Sequence, residues 1–147
     1  MQAMTGKWGW LVMLVLIVAA CSRAPDQDRL RERINQMQAD VQARRVDAVV
    51  QVLADDFTGN SGMDRRAVER MLRLQLLRNQ RIDVVLGPLD VDVDGAHARV
   101  RFTVAMAGGQ GGYLPDSGRI TRVSTHWRHD AGDWQLYRAS WGDGEQP

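Results

Sequence analysis

The sequence predicts an α+β domain in which helices come first and an antiparallel sheet follows. Three observations carry that expectation. Apolar residues recur at helical spacing as far as Asn79, and beyond it the period falls to two. Within the second region Asp94-Gly95 stands between two alternating runs, the strongest short-range hairpin signal, because a type I′ turn needs positive φ at both central residues. At 147 residues and 44% hydrophobic composition, the chain has the size of one domain and enough apolar side chain for one core.

The N-terminal segment has a different character. Trp8 to Ala20 is apolar throughout, follows Lys7 and ends in the small residues Ala19-Ala20, which are the charged, hydrophobic and cleavage regions of a secretory signal. It is shorter than the ~20 apolar residues that a spanning helix needs. Val18-Ala19-Ala20-Cys21 resembles the lipobox of bacterial lipoproteins. The resemblance implies that residues 1–20 are a signal peptide and that Cys21 receives diacylglycerol and acyl chains such as palmitate. An uncleaved anchor or an ordinary secretory signal is the competing reading. By the same resemblance, Ser22 stands where an aspartate would retain a lipoprotein in the inner membrane, so the expected address is the outer membrane, facing the periplasm. Each buried methylene contributes about 0.8 kcal/mol, so several chains anchor stably where one would not. Residues 21–28 read as the lipidated cysteine and a polar tether containing Pro25, which at full extension reaches no more than roughly 25 Å.

The domain is expected over residues 29–141, with residues 142–147 as a polar tail. Leu30, Ile34, Met37 and Val41 mark a first amphipathic helix. Asp47 is placed to cap a second, with Val49, Val50, Leu53 and Phe57 as its buried face and Thr58 to Gly62 ending it. Asp64 is placed to cap a third, running to Asn79, in which Val68, Met71, Leu72, Gln75 and Leu76 alternate with Arg65, Arg66, Glu69, Arg70 and Arg73; the arginines read as a solvated face, with an anion-binding surface as the alternative.

Arg81 to Leu86 is the first strand of the period-two region, and Gly87-Pro88 predicts a bulge or bend after it, since proline cannot donate to a ladder. A two-residue Asp94-Gly95 loop sets Val93 opposite Ala96, Val91 opposite Ala98 and Leu89 opposite Val100; Phe102, Val104 and Met106 continue that apolar face. Asp92 then opposes His97, and Asp90 opposes Arg99. The last two strands, Ile120 to His129 and Trp134 to Trp141, turn through Asp130 to Asp133.

These residues resemble the nuclear-transport-factor-2-like superfamily, particularly its SnoaL-like branch. The similarity lies in the Asp47-initiated helix ending Ala54-Asp55-Asp56-Phe57, in Trp127 joined through an Asp130/Gly132 turn to Trp134, and in the element order from Asp28 to Trp141. It implies a cone-shaped, cystatin-like fold of about three helices on a curved antiparallel sheet, a pocket between them, and an outer sheet face that often forms a dimer. Members include isomerases, cyclases, dehydratases and non-catalytic binding domains, so function must come from the site.

Candidate chemistry follows from residue type. With the Asp130–Asp133 turn as the loop, His126 opposes Tyr137 and shares a face with Arg122, Ser124 and Trp141, while Thr125, Trp127, Leu136 and Arg138 share the other. A histidine and a phenol side by side offer an acid/base pair; on central strands such groups also simply satisfy each other. Asp55 and Asp56 offer a general base, or one solvated and one loop-bonded carboxylate. Trp127 is a candidate ligand-binding wall. Tyr113 and Leu114, in the glycine-rich Ala107 to Gly118, are candidates to close over an apolar ligand or to pack on a second subunit.

Composition excludes other classes. Nineteen basic residues nearly balance eighteen acidic ones, which leaves no electrostatic reason for nucleic acid as a partner. One cysteine cannot form an internal disulfide or supply the thiolates of a structural zinc site, and His126 and His129 point to opposite faces of a strand, so no metal is expected. The glycine-rich segment lacks the Gly-Lys-Ser/Thr of a phosphate loop, so no nucleotide cofactor is expected either. The expectation is an envelope lipoprotein whose domain binds a small apolar ligand or a protein partner. An isomerase or dehydratase using His126 with Asp55 or Asp56, and a homodimeric assembly module, are the alternatives.

Overall fold

The computed structural model describes residues 24–109 and 117–142. The lipobox, Tyr113, Leu114 and most of the polar tail lie outside them. Three helices come from the first half of the chain: α1 (Ala24–Gln42), α2 (Val46–Val52) and α3 (Arg65–Arg78). Because α1 opens at Ala24, residues 24–28 of the expected tether are helical. Leu30 and Ile34 are buried and Met37 and Val41 half-buried, the stripe the spacing predicts.

Arg44 ends α1 at φ 64°, with Arg44 N–H donating to Val41 O and Arg45 N–H to Asp40 O. This is a Schellman-type stop with arginine where glycine is usual. The exception has a visible compensation, because the Arg44 guanidinium donates to Leu76 O at 2.6 Å and Asn79 O at 2.9 Å and so caps the carbonyl end of α3. Asp64 caps the other end of α3 as expected, its Oδ1 accepting from Ala67 N–H at 2.7 Å.

The second helix is shorter than its spacing suggests. It stops at Val52, and Leu53 turns extended to open β1 (Leu53–Thr58), which pairs in parallel with the last strand. Leu53 and Phe57 satisfy both a helical face and an inward-facing strand edge, and the open edge of the neighbouring strand decides between them. Asp47 lies in the first turn of α2 and accepts from Arg73 at 2.8 Å; Arg45 occupies the cap position.

The remaining strands are β2 (Arg81–Leu86), β3 (Asp90–Asp94), β4 (His97–Gly109), β5 (Ser117–Asp130) and β6 (Asp133–Trp141). The order is β1-β6-β5-β4-β2, with β3 also on β4, so the curved sheet is mixed, with one parallel pair at its edge. Leu86 pairs with Val104 and Asp90 with Arg101, leaving three residues opposite two: the break expected at Gly87-Pro88.

Two registers differ from expectation. Asp94 pairs with His97, so the loop is Gly95-Ala96, with positive φ only at Gly95, as in a type II′ turn. The shift of two residues preserves every face but changes partners: Val93 faces Ala98, Asp92 faces Arg99, and Asp90 faces Arg101 with an ion pair at 2.7 Å. The β5–β6 turn has the expected loop, Ala131-Gly132 with both φ positive, but a bulge follows it. His126 pairs with Arg138 and Trp127 with Leu136, which leaves Tyr137 as the extra residue. Beyond this bulge the alternation inverts: Arg138 turns to the outer face, and Ala139 and Trp141 turn inward.

The core gathers Leu30 and Ile34 of α1, Leu53 and Phe57 of β1, Val68 of α3 and, from the sheet, Ala98, Val100, Trp127, Trp134 and Leu136.

Candidate functional site

The helices do not fill the concave side of the sheet. Between α1, α2 and α3 and the inner face lies a cavity of about 560 Å³, within the ~300–1,000 Å³ range of small-molecule sites. Each element contributes its apolar stripe. Met37 and Val41 come from α1, Val46 and Val49 from α2, and Met71, Leu72 and Leu76 from α3. Leu53, Phe57, Val104, Val123, Leu136 and Trp141 supply the sheet side. Among the described residues, the polar lining consists of Arg44, Arg45, Gln75, Asn79, Arg119 and Thr121.

Trp141 is held in this wall by its backbone. Asn60 Nδ2 donates to Trp141 O at 2.6 Å, and Asn60 Oδ1 accepts from Trp141 N–H at 3.2 Å. Gly59 lies against the indole: a β-carbon there would come within 3.0 Å of the ring.

None of the described residues offered by the sequence for catalysis or ligand binding lines the cavity. Trp127 is 1% exposed and belongs to the core, where its Nε1 donates to Thr125 Oγ1 at 2.9 Å and Thr125 Oγ1 in turn donates to Val100 O at 3.1 Å. His126 and Tyr137 lie on the outer face, their rings edge-on with centroids 6.1 Å apart. Burial, and then the cations of Arg99 and Arg138 on the neighbouring strands, hold the His126 pKa below its ordinary value. The Arg128 guanidinium stands 5.7 Å from the centre of the Tyr137 ring.

Asp55 and Asp56 are exposed on β1 and both are engaged. Arg65 donates to Asp55 at 2.7 Å. Arg128 donates to both oxygens of Asp56, at 2.9 and 2.6 Å, and these hydrogen bonds hold its carboxyl below the usual range. Among the described residues, no three His, Cys, Asp or Glu side chains converge as a metal site would require.

Sequence reading missed the polar end of the cavity. Arg119 falls in phase with Val123 and Trp127, and that alternation is the signal that places it on the inner face. Nothing local distinguishes Arg44, whose role depends on α3 ending beside it.

The same architecture recurs in solved structures. An NTF2-like protein of unknown function from Pseudomonas putida matches with a TM-score of 0.69 and 16% identity, over 80% of this chain and 86% of that one. A proposed scytalone dehydratase from Novosphingobium aromaticivorans gives 0.72 and 13%, over 83% and 95%. An NTF2-like protein with a cystatin-like fold from the same organism gives 0.66 and 17%, over 97% and 94%. The chain has the NTF2-like, cystatin-like fold. At these identities the likeness is one of fold. No protein-family model matches the chain, and no curated protein matches its sequence.

Proposed function

We propose that this NTF2-like domain binds a small, largely apolar molecule in the cavity between its helices and its sheet. The observation that carries the reading is the lining: apolar side chains from α1, α2, α3, β1 and the inner sheet face surround about 560 Å³ of unfilled space. A dehydratase or isomerase reaction in this cavity would call for a group able to hold and release a proton near neutral pH. Among the described residues the polar lining offers arginines, amides and one threonine, and His126, Tyr137, Asp55 and Asp56 sit elsewhere. That distribution favours binding over proton-transfer chemistry in the cavity. Lipid on Cys21 would hold the domain at the cell envelope, on the periplasmic side of the outer membrane, so its ligand is one met at a membrane surface.

Native mass spectrometry of the full chain extracted from membranes tests the reading. The expected result is a retained small-molecule adduct that disappears when Leu72→Trp fills the cavity. An adduct unchanged by Leu72→Trp would overturn it, as would a wild-type chain with no adduct that also fails to bind added apolar probes. Intact mass from the same preparation reports the lipid on Cys21.

A further inference from the structure

We propose that the cavity's ligand is an apolar chain carrying one terminal carboxylate, and that Arg119 receives that carboxylate. The inference rests on the cavity being a binding site and adds the chemistry of its occupant.

The cavity has two unlike ends. Phe57, Leu136 and Trp141 line it where β1 and β6 run side by side. Strands β4 and β5 run on past the end of β6: Val123 pairs with Trp141, whereas Arg119, four residues earlier, pairs with Met106 where β6 has no residue. At this far end Asn79 meets Gly108, a β-carbon on which would lie 2.6 Å from Asn79 Oδ1. Arg44 donates to Asn79 O there as well. Arg44, Asn79 and Arg119 therefore gather at one end of an otherwise apolar space.

The three lining cations differ in what they already do. Arg44 is committed to the carbonyls that end α3, and Arg45 to Asp40 at 2.7 Å. Among the described residues the exposed Arg119 side chain has no hydrogen-bond or ion-pair partner. Asp83, the carboxylate nearest it in register, lies on the outer face and faces Arg81 at 3.4 Å. A guanidinium presents a fixed fork that matches one carboxylate in two parallel hydrogen bonds. One uncommitted fork at the mouth of an apolar space matches an amphiphile with one such head, of the fatty-acid kind. Arginine keeps its charge at any accessible pH, so recognition requires only that the ligand be ionised.

Photolabelling of the full chain in membranes separates this inference from the reading beneath it. The probes are a twelve-carbon carboxylic acid and the matching alcohol, each with a diazirine near the chain terminus. Adducts are mapped to the peptides that carry Met71, Leu72 and Met106. The acid is expected to label them on the order of tenfold more than the alcohol, with excess dodecanoate competing. Arg119→Gln should bring the acid down to the level of the alcohol, and Arg119→Lys, which keeps the charge and loses the fork, should fall between Arg119→Gln and the wild type. Equal labelling by acid and alcohol in the wild type overturns the carboxylate assignment and leaves a general apolar site. A preference for the acid that survives Arg119→Gln overturns the role of Arg119. No labelling of the cavity by either probe overturns the binding reading and this inference together.

Discussion

Asn60 holds Trp141 by both of its backbone groups, its amide donating to Trp141 O and accepting from Trp141 N–H, as a strand partner would. The contact ties the loop before α3 to the last residue of β6, across 81 positions of sequence. It thereby sets the indole against the cavity, with Gly59 leaving room for the ring.

Asn60→Ala is accordingly expected to cost about 1–3 kcal/mol, because it leaves two half-buried backbone groups without their partner. Asn60→Asp keeps the acceptor but turns a second acceptor towards Trp141 O, so it should not recover the loss seen with alanine. Urea denaturation measures the cost. Weaker binding of an apolar fluorescent probe should accompany it, since the wall loosens with the strand end. A full stability loss with unchanged probe affinity would separate Trp141 from the site.

The buried pair Trp127–Thr125 makes a second, independent prediction. The indole N–H and the hydroxyl form a short relay that ends on Val100 O, inside the core. Thr125→Val conserves shape but strands the indole N–H in an apolar environment, at a cost of about 1–3 kcal/mol. Trp127→Phe in the Thr125→Val background removes the stranded donor along with its partner. The double variant should thus lose less than the sum of the two single losses, a coupling that a double-mutant cycle in urea would measure.

These residues show where sequence was sufficient. The stripe of α1, the Asp64 cap of α3, the break at Gly87-Pro88 and the Ala131-Gly132 turn are set by chemistry within a few residues, and each was legible. Leu53 to Phe57 was not. A four-residue apolar spacing fits a helix as well as a strand edge, and only the unpaired edge of β6, far away in sequence, makes it a strand. The bulge at Tyr137 likewise has no local signature, yet it decides that Arg138 faces out and Trp141 faces in. The cavity was the least legible feature. An apolar stripe tells which side chains point inward, but not whether those from opposite walls meet.

Arg44 supplies a prediction in which backbone strain and capping oppose each other. At φ 64° a side chain carries a penalty that glycine does not, and the guanidinium repays it on the α3 carbonyls. Arg44→Ala should lose the cap and keep the strain. Arg44→Gly should lose the cap and release the strain, leaving it about 1 kcal/mol more stable than the alanine variant. Thermal unfolding of the pair checks the order; an alanine variant equal to glycine would remove strain from the account.

His126 predicts a pH dependence whose direction follows from its surroundings. Burial disfavours the imidazolium first, and Arg99 and Arg138, its partners on the strands to either side, disfavour it further. The folded-state pKa is therefore below the unfolded one, and between the two values the unfolded chain binds more protons. Stability consequently rises with pH across that window. Above the ordinary value of 6.5 the group is neutral in both states and has no effect; as the pH falls through 6.5 towards the folded value, stability is lost. His126→Gln should flatten this part of the profile. Arg138→Gln should move the titration of the His126 ring protons, followed by NMR, to higher pH while leaving the imidazole in place. If Arg138→Gln left that midpoint unmoved, burial and Arg99 would account for the shift, and Arg138 would stand beside His126 without electrostatic consequence.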